Sequence, residues 1–215
     1  MINVKILLIS VIFSFSACGQ KSSQHTVNAD AIALNKKAMS LLFFINNSDS
    51  ANKAIRLLDS ATALDSNFYS GYYSKLMFFA QLNQYYKAIE TINRMIRLRP
   101  KNYELYSTGA IMYDKIGDSI SSEDYFQKSL EVCTKVLDTM TVQNRNYHLM
   151  NRALILIMVG QQTDGNLLLK KVYEDETDSV KKEWVHSYMN KSKREIIEMF
   201  FAPAKAETSA IIDSN

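Results

Sequence analysis

Apolar residues recur along this chain at spacings of three and four, separated by polar residues. The clearest sets are Ala54, Leu58 and Ala61, then Ala88, Ile92 and Met95. This spacing places each set on one face of an α-helix. The chain contains only 6 Gly and 2 Pro, which indicates long helices joined by short turns. The pattern therefore predicts an all-α protein.

The same pattern repeats every 34 residues without a gap. Small residues occupy one equivalent position, large apolar residues follow four positions later, and a third set follows three positions after that. In chain order these sets are Ala54, Ala88 and Ser122; Leu58, Ile92 and Phe126; and Ala61, Met95 and Ser129. A fixed period of this length indicates a stack of helical repeats. We expect the small residues where two paired helices cross closely.

Residues 72–100 place Tyr72, Leu76 and Phe79 on one face of a first helix, and the set Ala88, Ile92 and Met95 follows on a second helix before Pro100. This arrangement resembles the tetratricopeptide repeat (TPR). The resemblance implies a right-handed superhelix of antiparallel helix pairs, closed by a C-terminal capping helix.

An extra stretch around residues 138–145 shifts the fourth unit out of the 34-residue register. The predicted divisions are a signal peptide at 1–17, a tether at 18–29, four TPR-like helix pairs at 30–174, one capping helix at 175–202, and a flexible tail at 203–215.

The amino terminus has the layout of a secretory signal. Lys5 precedes an apolar run at residues 6–15, and small residues follow it. This run is too short to span a bilayer as a helix, which needs about 20 residues. Residues 15–18, Phe-Ser-Ala-Cys, resemble the lipobox of bacterial lipoproteins, and the resemblance implies acyl chains such as palmitate on Cys18. Several chains on one residue anchor a protein stably. Ordinary secretion, with Cys18 merely near the cut, is the alternative.

Composition and charge narrow the possible partners. The formal net charge is +3, with 25 basic and 22 acidic residues interspersed. Nucleic-acid binding would call for basic residues clustered on one face, so we expect no nucleic-acid partner. The polar composition of the segment after Cys18 predicts a flexible tether. The folded part is therefore expected close to a membrane of the cell envelope, with the outer membrane preferred.

The first helices of TPR proteins line a concave groove, and the resemblance carries this surface over to the present chain. The implied partner-binding residues are Met39, Phe43, Asn47, Tyr73, Met77, Gln81, Ile111 and Asp114. Aromatic, methionine and polar side chains suit a peptide or helix laid into a groove. We expect a protein or peptide partner.

The sequence shows no pattern typical of catalysis or metal binding. It has no paired His or Cys at metal-ligand spacing and no glycine-rich phosphate loop, so no metal and no cofactor are expected. Five Asp-Ser/Thr-apolar triplets resemble a bacterial O-glycosylation acceptor, with Ser119 and Ser179 as the candidate acceptors. Helix N-capping by the Asp is the competing explanation.

These observations predict a membrane-tethered scaffold for protein–protein interaction in the bacterial envelope, not an enzyme. Two alternatives stay open. One is a helical-repeat hydrolase or lyase, which would need an acid–base pair such as His148 with a carboxylate. The other is an immunity or inhibitory lipoprotein that neutralises one toxin.

Overall fold

Helices account for most of the chain that the structure describes. The computed structural model describes residues 25–141 and 144–201, and these ranges contain ten α-helices, one short 3-10 helix at Leu42–Phe44 and no strand. The α-helices are α1 (Ala29–Met39), α2 (Ser48–Leu64), α3 (Tyr69–Gln81), α4 (Tyr85–Leu98), α5 (Tyr103–Lys115), α6 (Ser119–Thr139), α7 (Arg145–Met158), α8 (Gln162–Asp175), α9 (Ser179–Tyr188) and α10 (Lys193–Phe201). The signal peptide, Cys18 and the tail at 203–215 lie outside the described residues.

Consecutive helices pack as pairs, and each pair packs on the next. The most extensive contacts are within α1–α2, α3–α4, α5–α6 and α7–α8, and the next most extensive join α4 to α5, α6 to α7 and α2 to α3. Since three residues or fewer separate the paired helices α3–α4, α5–α6 and α7–α8, the two helices of each of these pairs run antiparallel. This succession of helix pairs confirms the predicted TPR-like, all-α architecture.

The small residues of the 34-residue register lie where the paired helices approach each other. Ala54 and Ala88 are 0% exposed and Ser122 is 1% exposed. Gly165 of α8 takes the same part in the fourth pair, with Leu169 and Val172 buried four and seven residues later. A Cβ at Gly165 would lie 2.7 Å from the carbonyl oxygen of Ala153 on α7, so this crossing has no room for a methyl group.

Left-handed residues form the turns inside three of the pairs. Gly117 has φ 80° and Gly160 has φ 86°, and Asn83 adopts φ 55° at the position 34 residues before Gly117. Asparagine tolerates this conformation better than other side chains. Asn83 can therefore adopt the left-handed conformation that Gly117 adopts in the next pair.

The C-terminal segment differs from the prediction of one capping helix at 175–202. It forms two helices, α9 and α10, and Asn190 at the break has φ 61°. Both sides of the break are held by α8: the Asn190 N–H donates to Asn166 Oδ1 at 2.9 Å, and Gln162 Nε2 donates to the Lys191 carbonyl at 2.8 Å. These bonds fix a turn that sends α10 back over the earlier pairs.

The described end of the predicted flexible tether is bound to the fold. His25 Nε2 lies 2.8 Å from Asp65 Oδ1, and the Asn28 N–H donates to Asp65 Oδ2 at 3.1 Å. Asp65 is 7% exposed at the C-terminal end of α2. Residues 25–29 are therefore part of the first helix pair, which corrects the tether prediction for this stretch.

Candidate functional site

One surface built from the first helices of successive pairs carries a row of aromatic side chains around a single carboxylate. We call Tyr73 of α3, Glu104 of α5, Tyr147 of α7 and Trp184 of α9 the aromatic strip. The Tyr147 hydroxyl donates to Glu104 Oε1 at 2.7 Å. The Tyr147 ring stacks on Trp184, with centroids 6.4 Å apart and an interplanar angle of 26°. Each member of the strip is half-buried.

The Glu104 carboxyl is the acidic group of this strip. Burial raises its pKa, while the hydrogen bond from Tyr147 acts in the opposite direction. Burial also raises the pKa of Tyr73, and the nearby Glu104 charge adds to that effect. Within the described ranges, no Lys or Arg forms an ion pair with Glu104. In the described part of the chain, the strip thus holds a partly desolvated carboxylate that forms no ion pair.

Arg99 shows how a cation fits the same side of α3. Its guanidinium lies over the Tyr69 ring, 3.7 Å from the centroid. Tyr69 is the first residue of α3, one turn before Tyr73. Contacts of this kind are attractive because the face of an aromatic ring is electron-rich. The tyrosines of this surface therefore already hold one guanidinium.

His148 does not form the acid–base pair that the enzyme hypothesis requires. Its Nδ1 lies 2.7 Å from the Tyr103 hydroxyl, and burial lowers its pKa. Cys133 donates to the His148 carbonyl, and burial raises the pKa of that thiol to about 12. No carboxylate is a hydrogen-bond partner of the imidazole in the described part of the chain. The described partners of His148 are therefore a tyrosine hydroxyl and a thiol.

The groove residues that the TPR resemblance implied differ in their exposure. Tyr73 and Met77 are half-buried on α3, and Gln81 ends that helix. Asn47 is the N-cap of α2 and accepts from the Ser50 N–H, while Phe43 is 76% exposed. The remaining surface candidates are Met39, which is half-buried against the core of the first pair, and Asp114, which is exposed near the end of α5.

Ile111 is a core residue, contrary to the prediction that it lines a groove. It is 5% exposed and belongs to the same buried cluster as Leu154 of α7 and Ile196 and Ile197 of α10. Residues from α5, α6, α7, α8, α9 and α10 contribute to this cluster. The repeat pattern of α5 alone carries no information on how these distant helices join it.

The helix α10 reaches from the fourth pair to the second. Its last residue, Phe201, lies edge-on to Tyr85 at the start of α4, with ring centroids 6.4 Å apart. Lys115, at the end of α5, lies 4.3 Å from the Phe201 centroid. Lys193, at the start of α10, lies over Phe126 of α6. The C-terminal helix therefore contacts residues of α4, α5 and α6. None of these contacts involves a residue of the aromatic strip.

A separate open cavity of about 590 Å³ lies between α7 and α8. Its lining includes Leu156, Leu167 and Leu168 together with Arg152, Lys170 and Lys171. The Arg152 Nε is buried and has no hydrogen-bond partner. Neither His148 nor any member of the aromatic strip lines this cavity.

The candidate glycosylation sites lie at helix starts. Ser119 and Ser179 are exposed first residues of α6 and α9. The preceding Asp118 accepts from the Ser121 N–H, and Asp178 accepts from the Val180 and Lys181 N–H groups. This geometry is that of helix N-caps, which accounts for the Asp-Ser pattern at both places. Glycosylation stays a prediction.

Two further observations concern membrane and metal binding. No helix in the described part combines the length and the apolar character that crossing a membrane requires. Within residues 25–141 and 144–201, no three His, Cys, Asp or Glu side chains converge as ligands for a metal ion.

Comparison with known proteins gives distant structural likenesses. No protein-family model matches the sequence, and no curated protein matches it. The chain is similar to the crystal structure of MamA, at 17% identity and a TM-score of 0.46 over 67% of this chain and 77% of that chain. It is also similar to YrrB, described as a TPR protein with an unusual peptide-binding site, at 18% identity and a TM-score of 0.42 over 81% and 90% of the two chains. Because these likenesses are distant, the assignment of the fold depends on the helix pairs observed in this chain and not on the comparison.

The sequence-based prediction named Tyr73 as a binding residue but did not name Glu104 or Tyr147. The available signal was the recurrence of aromatic residues on the first helices, which are Tyr69, Tyr72 and Tyr73 on α3, Tyr103 and Tyr106 on α5, Tyr147 on α7, and Trp184 and Tyr188 on α9. The 34-residue register does not extend to the fourth pair, so it could not align Tyr147 with Glu104.

Proposed function

We propose that this protein is a lipid-anchored scaffold of the bacterial cell envelope that binds a protein partner along the aromatic strip. The observation that carries the proposal is the contact of Tyr147 with both Glu104 and Trp184, which joins three first helices into one surface. Half-buried tyrosine and tryptophan are typical of binding surfaces, since they offer large contact areas with little loss of side-chain freedom.

The anchor part of this proposal rests on the amino-terminal sequence. The apolar run and Cys18 favour lipid attachment, and the outer membrane is the proposed location. Replacement Cys18→Ser should abolish labelling by radioactive palmitate and move the protein from the membrane fraction to the soluble fraction. Retention of both label and membrane association by Cys18→Ser would contradict the anchor.

The partner-binding part is tested by crosslinking in intact cells. A photo-crosslinking side chain at Met77, next to the aromatic strip on α3, should capture an envelope protein that the same side chain at Tyr86 does not capture. Tyr86 is the matched control because it is 71% exposed on α4. The double change Tyr73→Ala with Met77→Ala should abolish capture in co-purification, while Tyr86→Ala should not.

The melting temperature of the double variant decides how a loss of capture is interpreted. Because Tyr73 packs against buried residues of the second pair, we expect the double variant to melt below Tyr86→Ala, and capture is compared at a temperature at which both variants are folded. If every partner still co-purifies with the double variant, the strip is not the binding surface.

A further inference from the structure

The aromatic strip combines three features that select for a cationic ligand group. It has aromatic faces, a half-buried carboxylate, and no Lys or Arg paired with that carboxylate in the described ranges. A partly desolvated carboxylate is costly unless a cation or hydrogen bonds compensate it. Here Tyr147 provides one hydrogen bond to Glu104, at 2.7 Å, which neutralises no charge.

The geometry points to a basic side chain of the partner polypeptide, with arginine preferred, as the group that this strip binds. Its guanidinium would lie between Tyr73 and Tyr147 and donate to the Glu104 carboxylate. This inference rests on the proposed function, because it names the chemistry of the partner at the same surface.

Arginine fits better than lysine for two reasons. The planar guanidinium stacks on aromatic rings and donates several hydrogen bonds in one plane, whereas an ammonium is a compact and strongly hydrated charge. The chain itself already places a guanidinium over a tyrosine on this helix, where Arg99 lies 3.7 Å from the Tyr69 centroid. The partner's arginine would repeat that contact one turn further along α3.

Other parts of the chain offer weaker cation sites. The acidic residues of the described ion pairs, such as Glu131 with Lys128 and Lys135, already have cations beside them. Asp65 is buried but is held by His25 and by the N–H groups of Asn28 and Asn67. Among the acidic residues that the structure describes, Glu104 combines partial burial, adjacent aromatic rings and the lack of an ion pair.

The test uses Trp184, the single tryptophan of the chain, as a fluorescent reporter. Its stacking on Tyr147 makes its emission sensitive to a ligand at Glu104. The probe is the capped peptide acetyl-Leu-Ala-Arg-Ala-Leu-amide, titrated into the full-length chain in a non-ionic detergent. The matched ligand replaces arginine by citrulline, which keeps the shape but removes the charge.

We expect the arginine peptide to bind about tenfold more tightly than the citrulline peptide, a difference of the size that one partly desolvated charge contact provides. Glu104→Gln should abolish this preference. Glu90→Gln should retain it, since Glu90 is an exposed residue of α4. In the wild type, the preference should also disappear as the pH falls and Glu104 becomes protonated.

Equal binding of the two peptides by the wild type, or no binding of the arginine peptide, would overturn the inference. So would an unchanged preference in Glu104→Gln. If that variant does not fold, the pH titration of the wild type decides the question, since a preference that persists at low pH excludes Glu104. None of these results would refute the scaffold itself, because capture at Met77 in cells is measured independently.

Discussion

Glu104 illustrates how one residue links stability to binding. Its carboxyl is half-buried beside Tyr147, and a surface made for folding alone would be more stable with a neutral group there. Retaining a charge at a cost in stability is common at binding sites. This is the reason to treat Glu104 as functional and not only as a packing residue.

The first prediction concerns the pH dependence of stability in Glu104→Gln. Burial raises the pKa of Glu104 above its ordinary value of 4.5, so the folded state binds the proton more tightly than the unfolded state. This group therefore makes the protein less stable as the pH rises from about 4.5 through the folded pKa. Glu104→Gln, which still accepts from Tyr147, should melt at a higher temperature than the wild type at pH 7. The difference should shrink towards zero below pH 4.5. Melting curves followed by circular dichroism between pH 4 and 8 measure this, and a difference that does not vary with pH would contradict it.

At the scale of elements, the 34-residue register predicted the helix pairs well. The close crossing of two helices and the short turn between them restrict which residues fit at nearby positions. Ala54 and Ala88 are small and buried, and Asn83 and Gly117 are both left-handed at the turn. These constraints act between residues that are near in sequence. The position of α10 depends instead on contacts between Phe201 and the distant Tyr85 and Lys115, and the period of a sequence carries no information on such contacts.

The same argument explains why the sequence analysis did not name Glu104 as a site residue. Tyr73 was named from its position in the repeat, whereas Glu104 is distinguished by its hydrogen bond from Tyr147, which lies 43 residues away and beyond the shift in register. The break between α9 and α10 depends on side chains of α8, so the apolar pattern of this segment alone suggested one continuous helix.

The second prediction tests whether α10 is part of the stack. Ile196 is 0% exposed, so Ile196→Ala should lower the free energy of unfolding by about 2–5 kcal/mol. Arg194 lies two residues earlier, and its side chain is 89% exposed. Arg194→Ala should therefore change the stability by less than about 0.5 kcal/mol. Urea unfolding of both variants gives the comparison. Equally small effects would show that α10 does not pack where the structure places it.

At the scale of the whole molecule, the buried clusters are unequal along the stack. The cluster at the first pair has fewer buried residues than the C-terminal cluster, and three of them are alanines, Ala38, Ala51 and Ala54. The C-terminal cluster contains Phe126, Ile157 and Ile196 and joins α5 through α10. Each pair of a repeat protein is stabilised chiefly by its neighbours, so an end pair with one neighbour and a small core opens most easily.

The third prediction therefore concerns local opening, measured by hydrogen exchange and mass spectrometry. Amides of α1 and α2 should exchange faster than those of α7 and α8, although both are helix pairs of similar length. Asp65→Asn should accelerate exchange in α1 further, because Asp65 holds His25 and Asn28 against the end of α2. Exchange in α7 and α8 should not change, since those helices belong to a separate cluster. Equal protection of the first and fourth pairs would mean that the stack opens as one unit, and the size of each core would then not set the local stability.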